Sequence, residues 1–198
     1  MSLRRILGLA AVILPCVFAG AAEADPGAVV ESVTPGSVGE KAGLQPGDLI
    51  LAAPGGRIDS PYDLVSLEFE EAPRHGVVLR GKRGDQEMAW TLTAAEWGIE
   101  VRPGLPAGLA ALYAEGGERL AAGDLAAVER AWRSAADGAR NTGDGRLAAW
   151  FLDRLASRLA EAGKWAEADG AFGDALALLQ RETDHPAAAP LLRNWGNA

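Results

Sequence analysis

The chain has 198 residues and carries 27 acidic against 19 basic side chains, a formal charge of −8. Hydrophobic residues make up 48% and charged residues 23%, which is the composition of a chain with a packed core and excludes wholesale disorder. The length allows one or two domains. Because an acidic surface repels phosphate groups, nucleic acid and anionic lipid are not expected as partners.

The first 24 residues have the features of an export signal. Arg4 and Arg5 precede the apolar segment 6–20, and the Ala-Glu-Ala sequence at 22–24 is the small-x-small pattern that signal peptidase cleaves. We therefore expect an exported protein, periplasmic or secreted, whose mature chain starts at Asp25. The alternative is an uncleaved membrane anchor, although the apolar run is shorter than the ~20 residues of a spanning helix. Membrane contact is expected only through this segment, if it stays uncleaved.

Cleavage of this segment changes the chemistry of the remaining chain. It leaves 17 basic and 26 acidic residues, a formal charge of −9. The single cysteine, Cys16, lies inside the segment and follows Pro15, where a lipoprotein signal needs a small residue. The mature chain is therefore expected to contain neither a disulfide nor a cysteine nucleophile.

Residues 25–104 contain short apolar runs that Gly and Pro interrupt, a pattern typical of strands and tight turns. Ser37 is predicted to cap a short helix that ends at Gly43, and the turn that contains Asp48 leads into the next strand. The predicted strands cover residues 28–33, 49–51, 77–83 and 88–93.

A second helix is predicted to start at Ser60. Ser60 is a good N-cap, Pro61 occupies the first helical position, and Asp63 lies near the positive end of the helix dipole. This helix is expected to run to about Glu71 and to stop before Pro73.

The segments 33–37 and 41–50, with the sequences Val-Thr-Pro-Gly-Ser and Lys-Ala-Gly-Leu-Gln-Pro-Gly-Asp-Leu-Ile, resemble a bacterial PDZ domain of the kind attached to periplasmic proteases. The resemblance covers roughly residues 27–103. It implies a small β-barrel or sandwich with two helices. It also implies a groove between one strand and the capped helix, where an extended peptide adds as a further strand and loop N–H groups hold its terminal carboxylate.

The resemblance assigns the groove to two parts of this chain. The family's binding strand usually comes first, but here the expected mature N-terminus leaves no room for it, so the candidate strand and loop are Trp97, Gly98, Ile99, Glu100 and Val101. The helix contributes a face with the spacing i, i+4, i+8, made of Pro61, Val65 and Phe69. Two alternatives stay open: residues 97–102 form only a linker strand beside a vestigial groove, or Val65 and Phe69 belong to the core.

Residues 105–198 are rich in Ala and Leu with helical spacing, and they repeat with a period of 40 residues. Three small residues recur at that interval: Gly116, Ala156 and Gly196. Trp132 and Phe172 form a second matching pair. The pattern resembles tetratricopeptide (TPR) repeats, which implies an all-α solenoid of helical hairpins; the alternative is a generic Ala-rich bundle. The last five residues resemble the middle of a helix, so we expect the repeat array to be incomplete, unless residues 186–198 form a capping helix.

No motif for catalysis or cofactor binding stands out. His75 and His185 lie next to turn residues without metal-ligand spacing, and neither a serine-nucleophile elbow nor a phosphate-binding Gly loop is present. We therefore expect no catalytic residue, metal or cofactor, and a scaffold whose groove and repeats each bind a protein or peptide. The alternatives are the sensor region of a larger enzyme, such as a caspase-like peptidase of the CHAT type, and a structural PDZ domain without a ligand.

Overall fold

The computed structural model describes residues 26–198, so the predicted export signal and its cleavage site lie outside the described residues. Strands and short helices occupy residues 28–103, and five longer helices follow over residues 107–197. A sheet with short helices followed by an all-helical half is the organisation that the two resemblances imply, and the fold class is α+β. None of the helices within residues 26–198 combines the length and the apolar character that a membrane crossing requires.

The strands form one antiparallel sheet in the order β5-β4-β2-β1-β6, and β3 pairs with β2 beside this path. The chain ends of this sheet therefore lie next to each other, because the first strand pairs with the last. The strands are β1 Ala28–Val33, β2 Leu49–Ala53, β3 Gly56–Arg57, β4 Val77–Arg83, β5 Gln86–Leu92 and β6 Ile99–Pro103. The bounds of β1 and β4 agree with the prediction. The last strand begins at Ile99, within the predicted strand-and-loop segment 97–101, and extends to Pro103.

The pairing of β1 with β6 contains a β-bulge. Val30 is opposite Val101 and Ser32 is opposite Glu100, so the residue between them, Glu31, has no partner in the ladder. A bulge of this kind re-aims a side chain relative to the regular alternation. Here it leaves the Glu31 carboxylate beside the helical half of the chain, where it accepts a hydrogen bond of 2.9 Å from the Tyr113 hydroxyl.

The turn chemistry predicted around α1 (Val38–Lys41) is confirmed. Ser37 Oγ accepts a hydrogen bond from the Glu40 N–H at 3.2 Å, and Gly43 has a φ of +87°. The Asp48 carboxylate accepts from the Gln45 N–H at 2.8 Å, as expected for a turn aspartate. It also accepts from Arg83 Nε at 2.7 Å, and this cation neutralises a carboxylate that is fully buried.

The second predicted helix is present but longer than expected. It consists of α2 (Tyr62–Ser66), a π-helical segment (Leu67–Glu71) and α3 (Ala72–His75), which follow one another without a break and are together called the 62–75 helix. It begins one residue later than predicted, because Pro61 rather than Ser60 is the N-cap residue and Tyr62 is the first helical residue. Asp63 Oδ2 accepts from the Ser60 N–H at 2.9 Å.

The predicted end before Pro73 is wrong. Pro73 lies in the first turn of α3, where its missing N–H costs little, and the wider turns of the preceding π-helical segment separate the two α-helical parts. The helix ends instead at Gly76, whose φ is +73°. Glycine adopts this conformation without the steric cost that a Cβ atom would add.

The helical half consists of α4 Ala107–Ala121, α5 Leu125–Asn141, α6 Gly145–Glu161, α7 Trp165–Arg181 and α8 His185–Asn197. The last four helices begin 20 residues apart, so a pair of helices repeats every 40 residues, as the sequence predicts. Asp144 illustrates the recurring cap, because its side chain accepts from the Leu147 N–H at 2.8 Å. The same cap recurs at Asp124 and Asp184.

Three of the repeat positions singled out in the sequence, Gly116, Trp132 and Phe172, lie where neighbouring helices meet, whereas Gly196 is exposed. Gly116 on α4 is buried against the indole of Trp132 on α5, and an added Cβ would overlap that ring. Phe172 on α7 is fully buried and stacks on Trp195 of α8, with ring centroids 5.7 Å apart. A small residue therefore meets an aromatic ring at the α4–α5 crossing, and two aromatic rings meet at the α7–α8 crossing.

The buried hydrophobic residues form two clusters, one in the sheet half and one in the helical half. Tyr62 is the exception, because it lies on α2 beside the sheet but packs in the helical cluster. The two halves are thus in direct contact through the start of the 62–75 helix.

Candidate functional site

The strand β6 and the 62–75 helix flank a cavity of ≈ 310 Å³, which we call the groove. Strand β6 pairs with β1 and is the last strand of the sheet, so its other edge has no strand partner among residues 26–198. Val65 on the helix and Ile99 and Val101 on the strand line this space, and all three are partly exposed. The result is an open strand edge beside apolar side chains.

The structure brings together six of the eight residues predicted for the site. Gly98 lies within the same strand-and-loop segment without lining the cavity, and Phe69 lies elsewhere. The six that line the groove are Pro61, Val65, Trp97, Ile99, Glu100 and Val101.

Trp97 has a structural role at the loop that leads into β6. Its side chain is fully buried, and its indole N–H donates to the Ala94 carbonyl at 2.8 Å. Its backbone N–H donates to Glu68 Oε1 at 2.7 Å, so a carboxylate of the chain itself already occupies this loop amide. Burial raises the pKa of Glu68, and the hydrogen bond from Trp97 and the charge of Arg193 act in the opposite direction.

Gly98 is required by the backbone at this point. Its φ is +66°, and an added Cβ would lie 2.5 Å from the Cβ of Ser37. The neighbouring carbonyls are tied to the α1 region, because Gly98 accepts from the Thr34 N–H at 2.7 Å and Trp97 accepts from the Gly39 N–H at 2.8 Å. The loop that precedes β6 is therefore held firmly in place.

Phe69 lines a second cavity of ≈ 520 Å³, between the 62–75 helix, the β2–β3 hairpin and α8. The guanidinium carbon of Arg193 lies 3.2 Å from the centroid of its ring, a close cation–π contact. Val65 lines both cavities. The face with spacing i, i+4, i+8 is thus divided: Pro61 faces the groove, Val65 borders both spaces, and Phe69 faces α8.

Helix α6 forms a third wall of the groove, which the sequence analysis did not anticipate. Arg154 Nη2 lies 3.3 Å from Glu100 Oε2, and Arg158 Nη2 lies 3.2 Å from Glu100 Oε1. Arg154 Nη2 also lies 2.9 Å from Glu31 Oε2, at the bulge of β1. Burial would raise the pKa of Glu100, but the guanidinium groups of Arg154 and Arg158 together lower it below its ordinary value.

The same helix is attached to the opposite wall of the groove. Asp153 is 5% exposed, and its carboxylate accepts hydrogen bonds from the Tyr62 hydroxyl at 3.1 Å and from Asn194 Nδ2 at 3.0 Å. Burial raises the pKa of Asp153 to about 6, although both hydrogen bonds lower it. About two turns earlier on α6, Arg146 Nη2 lies 2.7 Å from Asp63 Oδ1.

An open strand edge beside a capped helix, with tight glycine turns around a buried aspartate, is the geometry that the sequence resemblance implies. Residues 29–67 match the family model of the PDZ domain. The match runs from β1 into the 62–75 helix, so it includes the helix wall of the groove but not strand β6. No curated protein shows significant similarity to the chain. PDZ domains bind proteins or peptides, so the match indicates a role in protein–protein interaction.

The two histidines show no metal-binding arrangement. His75 Nε2 lies 2.9 Å from Glu71 at the exposed end of the 62–75 helix, and His185 is the first residue of α8. Across residues 26–198, no group of three or more His, Cys, Asp or Glu side chains is placed to hold a metal ion.

Proposed function

We propose that this protein is a non-enzymatic interaction scaffold whose PDZ region binds an extended peptide segment along the free edge of β6. The observation that carries the proposal is that this unpaired strand edge borders a groove with Val65, Ile99 and Val101 in its walls. A strand that adds to an open sheet edge gains backbone hydrogen bonds, and its alternate side chains enter neighbouring pockets.

The size and lining of the groove favour a short extended ligand. A volume of ≈ 310 Å³ is at the lower end of ligand-binding cavities, so a few residues of a partner chain fit, whereas a folded surface does not. Four carboxylates and two guanidinium groups line the space, which disfavours a strongly acidic ligand. These are Glu68, Glu100, Asp153, Glu161, Arg154 and Arg158.

We propose that the helical half contacts a second protein partner, in the manner of the TPR repeats it resembles. The 40-residue hairpin period supports this assignment. Trp165, at the start of α7, is 57% exposed, and Leu192 on α8 is 50% exposed. Both side chains are available for contact with such a partner.

We further propose that the protein acts outside the cytoplasm. The proposal rests on the sequence of residues 1–24, with its two arginines, apolar segment and Ala-Glu-Ala site. N-terminal sequencing of the protein recovered from a periplasmic or culture fraction tests it: the expected first residue is Asp25, and an intact Met1 would contradict cleavage.

The peptide-binding proposal is tested by screening residues 25–198 against a library of extended peptides, with and without a free C-terminal carboxylate, by fluorescence anisotropy. The Val65→Arg variant is expected to lose binding, because it places a charged side chain in the groove. Val78→Arg is the matched control, since Val78 is 38% exposed on β4 and does not line the groove. Failure of every peptide, or unchanged binding to Val65→Arg, would overturn the proposal.

A further inference from the structure

Helix α6 contacts both walls of the groove at the same time. On the strand side, Arg154 and Arg158 bracket Glu100, at 3.3 and 3.2 Å. On the helix side, Asp153 accepts the hydrogen bond from Tyr62 at 3.1 Å. A segment that pairs with β6 along its length therefore meets α6.

The opposite end of the groove is closed by a different group. There the Glu68 carboxylate accepts the Trp97 N–H at 2.7 Å, as described above. The chain thus supplies polar side chains at both ends of the groove. The Glu68 carboxylate binds the loop that precedes β6, and residues 153–158 of α6 lie at the other end, near Glu100.

Among the described residues, the contact between α6 and the groove leaves two hydrogen-bond donors without partners. The Nε atoms of Arg154 and Arg158 are buried and have no hydrogen-bond acceptor within the described part of the chain. A buried donor without an acceptor carries a free-energy cost. The Glu100 side chain is itself 48% exposed, so water and salt screen its attraction to the two arginines. Of the contacts that α6 makes with the groove walls, those to Glu100 are therefore the ones suited to displacement by a ligand.

We propose that helix α6, the third wall of the groove, restricts access to the edge of β6 at Glu100 and that an external peptide competes with it for that edge. The inference rests on the proposed peptide-binding function. It makes the helical half a regulator of the PDZ region: whatever draws α6 away from Glu100 exposes the strand edge, and ligand affinity rises with the fraction of molecules that are open.

The test removes the ion pairs between α6 and β6 in two ways, once by changing the arginines of α6 and once by changing Glu100 of β6. The Arg154→Gln/Arg158→Gln double variant removes two positive charges from the groove lining, and Glu100→Gln removes one negative charge. Both are expected to bind a peptide without charged side chains roughly three- to tenfold more tightly, because both weaken the attachment of α6. A direct effect of local charge on the charged termini of the peptide would instead move the two affinities in opposite directions.

A second measurement needs no ligand. Hydrogen–deuterium exchange of the β6 amides is expected to be faster in both variants than in the unmodified chain. The matched control is Arg133→Gln/Arg140→Gln, which removes two arginines from α5 that pair with Asp174 and Asp137 away from the groove. This control is expected to change neither peptide affinity nor exchange of β6.

The outcomes separate the two proposals. Unchanged β6 exchange in both variants, or affinities that move in opposite directions, overturns the role of α6 while leaving peptide binding intact. If no peptide binds the unmodified chain, the double variant or Glu100→Gln, the groove is not a peptide site, and the competition falls with it.

Discussion

The hydroxyl of Tyr62 donates a hydrogen bond of 3.1 Å to Asp153, across 91 positions of sequence. Tyr62 is the first residue of α2, and Asp153 lies in the middle of α6, so this bond joins the PDZ region to the helical half. Asn194 of α8 donates to the same carboxylate at 3.0 Å. Three elements therefore meet at one buried acidic group.

This acidic group makes the stability of the chain depend on pH. The pKa of Asp153 is raised from 3.8 to about 6 by burial, so folding favours its protonated form. That stabilising contribution is fully present below pH 3.8 and is lost as the pH rises through 6. We expect the Asp153→Asn variant to gain about 2 kcal/mol in unfolding free energy relative to the unmodified chain between pH ~4.5 and ~7.5. Urea denaturation at several pH values measures this difference.

The control for that series is Asp137→Asn, on the exposed surface of α5, where the side chain is 63% exposed. Its stability relative to the unmodified chain is expected to stay nearly constant over the same pH range. A difference between Asp153→Asn and the unmodified chain that does not change with pH would show that the Asp153 carboxyl is not protonated on folding.

Removal of the phenol group should destabilise the contact between the two halves. The Tyr62→Phe variant keeps the ring in the helical cluster and deletes the hydrogen bond to Asp153. We expect a loss of about 1–3 kcal/mol at neutral pH, since a buried carboxylate loses one of its donors. In the Asp153→Asn background, Tyr62→Phe should lower the unfolding free energy by a smaller amount. A double-mutant cycle by chemical denaturation gives the coupling, and equal costs in the two backgrounds would contradict it.

Two neighbouring glycines on α4 are expected to respond in opposite ways to alanine. Gly116→Ala places a methyl group against the buried indole of Trp132 and should destabilise the chain by about 1–3 kcal/mol. An added Cβ at Gly117 meets nothing within 4 Å, so Gly117→Ala should stabilise it by up to ~1 kcal/mol through helix propensity. Thermal unfolding followed by circular dichroism distinguishes them, and equal effects would contradict the packing at Trp132.

The turn before α8 contains a residue in an unfavourable conformation. Thr183 has a φ of +54°, whereas the equivalent residues before α6 and α7, Gly143 and Gly163, have φ of +84° and +74°. A β-branched residue is strained in this region, so Thr183→Gly should stabilise the chain by about 1 kcal/mol. The reciprocal change, Gly163→Thr, should destabilise it by a similar amount. Melting temperatures of the two variants test the pair, and a less stable Thr183→Gly protein would contradict the argument.

Local features of this fold were predictable because their causes are local. Ser37 and Asp63 bond to amides within four residues, so the caps follow from side-chain chemistry and spacing. The end of the 62–75 helix was not predictable in this way. Proline is compatible with the first turn after a π-helical segment, and nothing in the sequence around Pro73 signals that segment.

The site was predictable only in part. Strand β6 and the helix face could be assigned by resemblance, and the structure places six of those eight residues along one cavity. The third wall, helix α6, could not be assigned from the sequence. Arg158 meets Glu100 across 58 positions of sequence, and helical periodicity does not specify which face of a helix docks against another domain. Phe69 follows Val65 by the same spacing of four residues, but it lies within the π-helical segment and beside Arg193, and it lines a different cavity.

The π-helical segment Leu67–Glu71 has a consequence for how this chain can vary. Each residue of a helix advances about 100° around the axis, and a π-turn holds one residue more than an α-turn. Loss of a single residue there would restore regular α-helical winding and rotate one end of the helix against the other. Glu68 would then leave the Trp97 amide, and Phe69 would leave Arg193. This part of the molecule should therefore be sensitive to a change of length by even one residue.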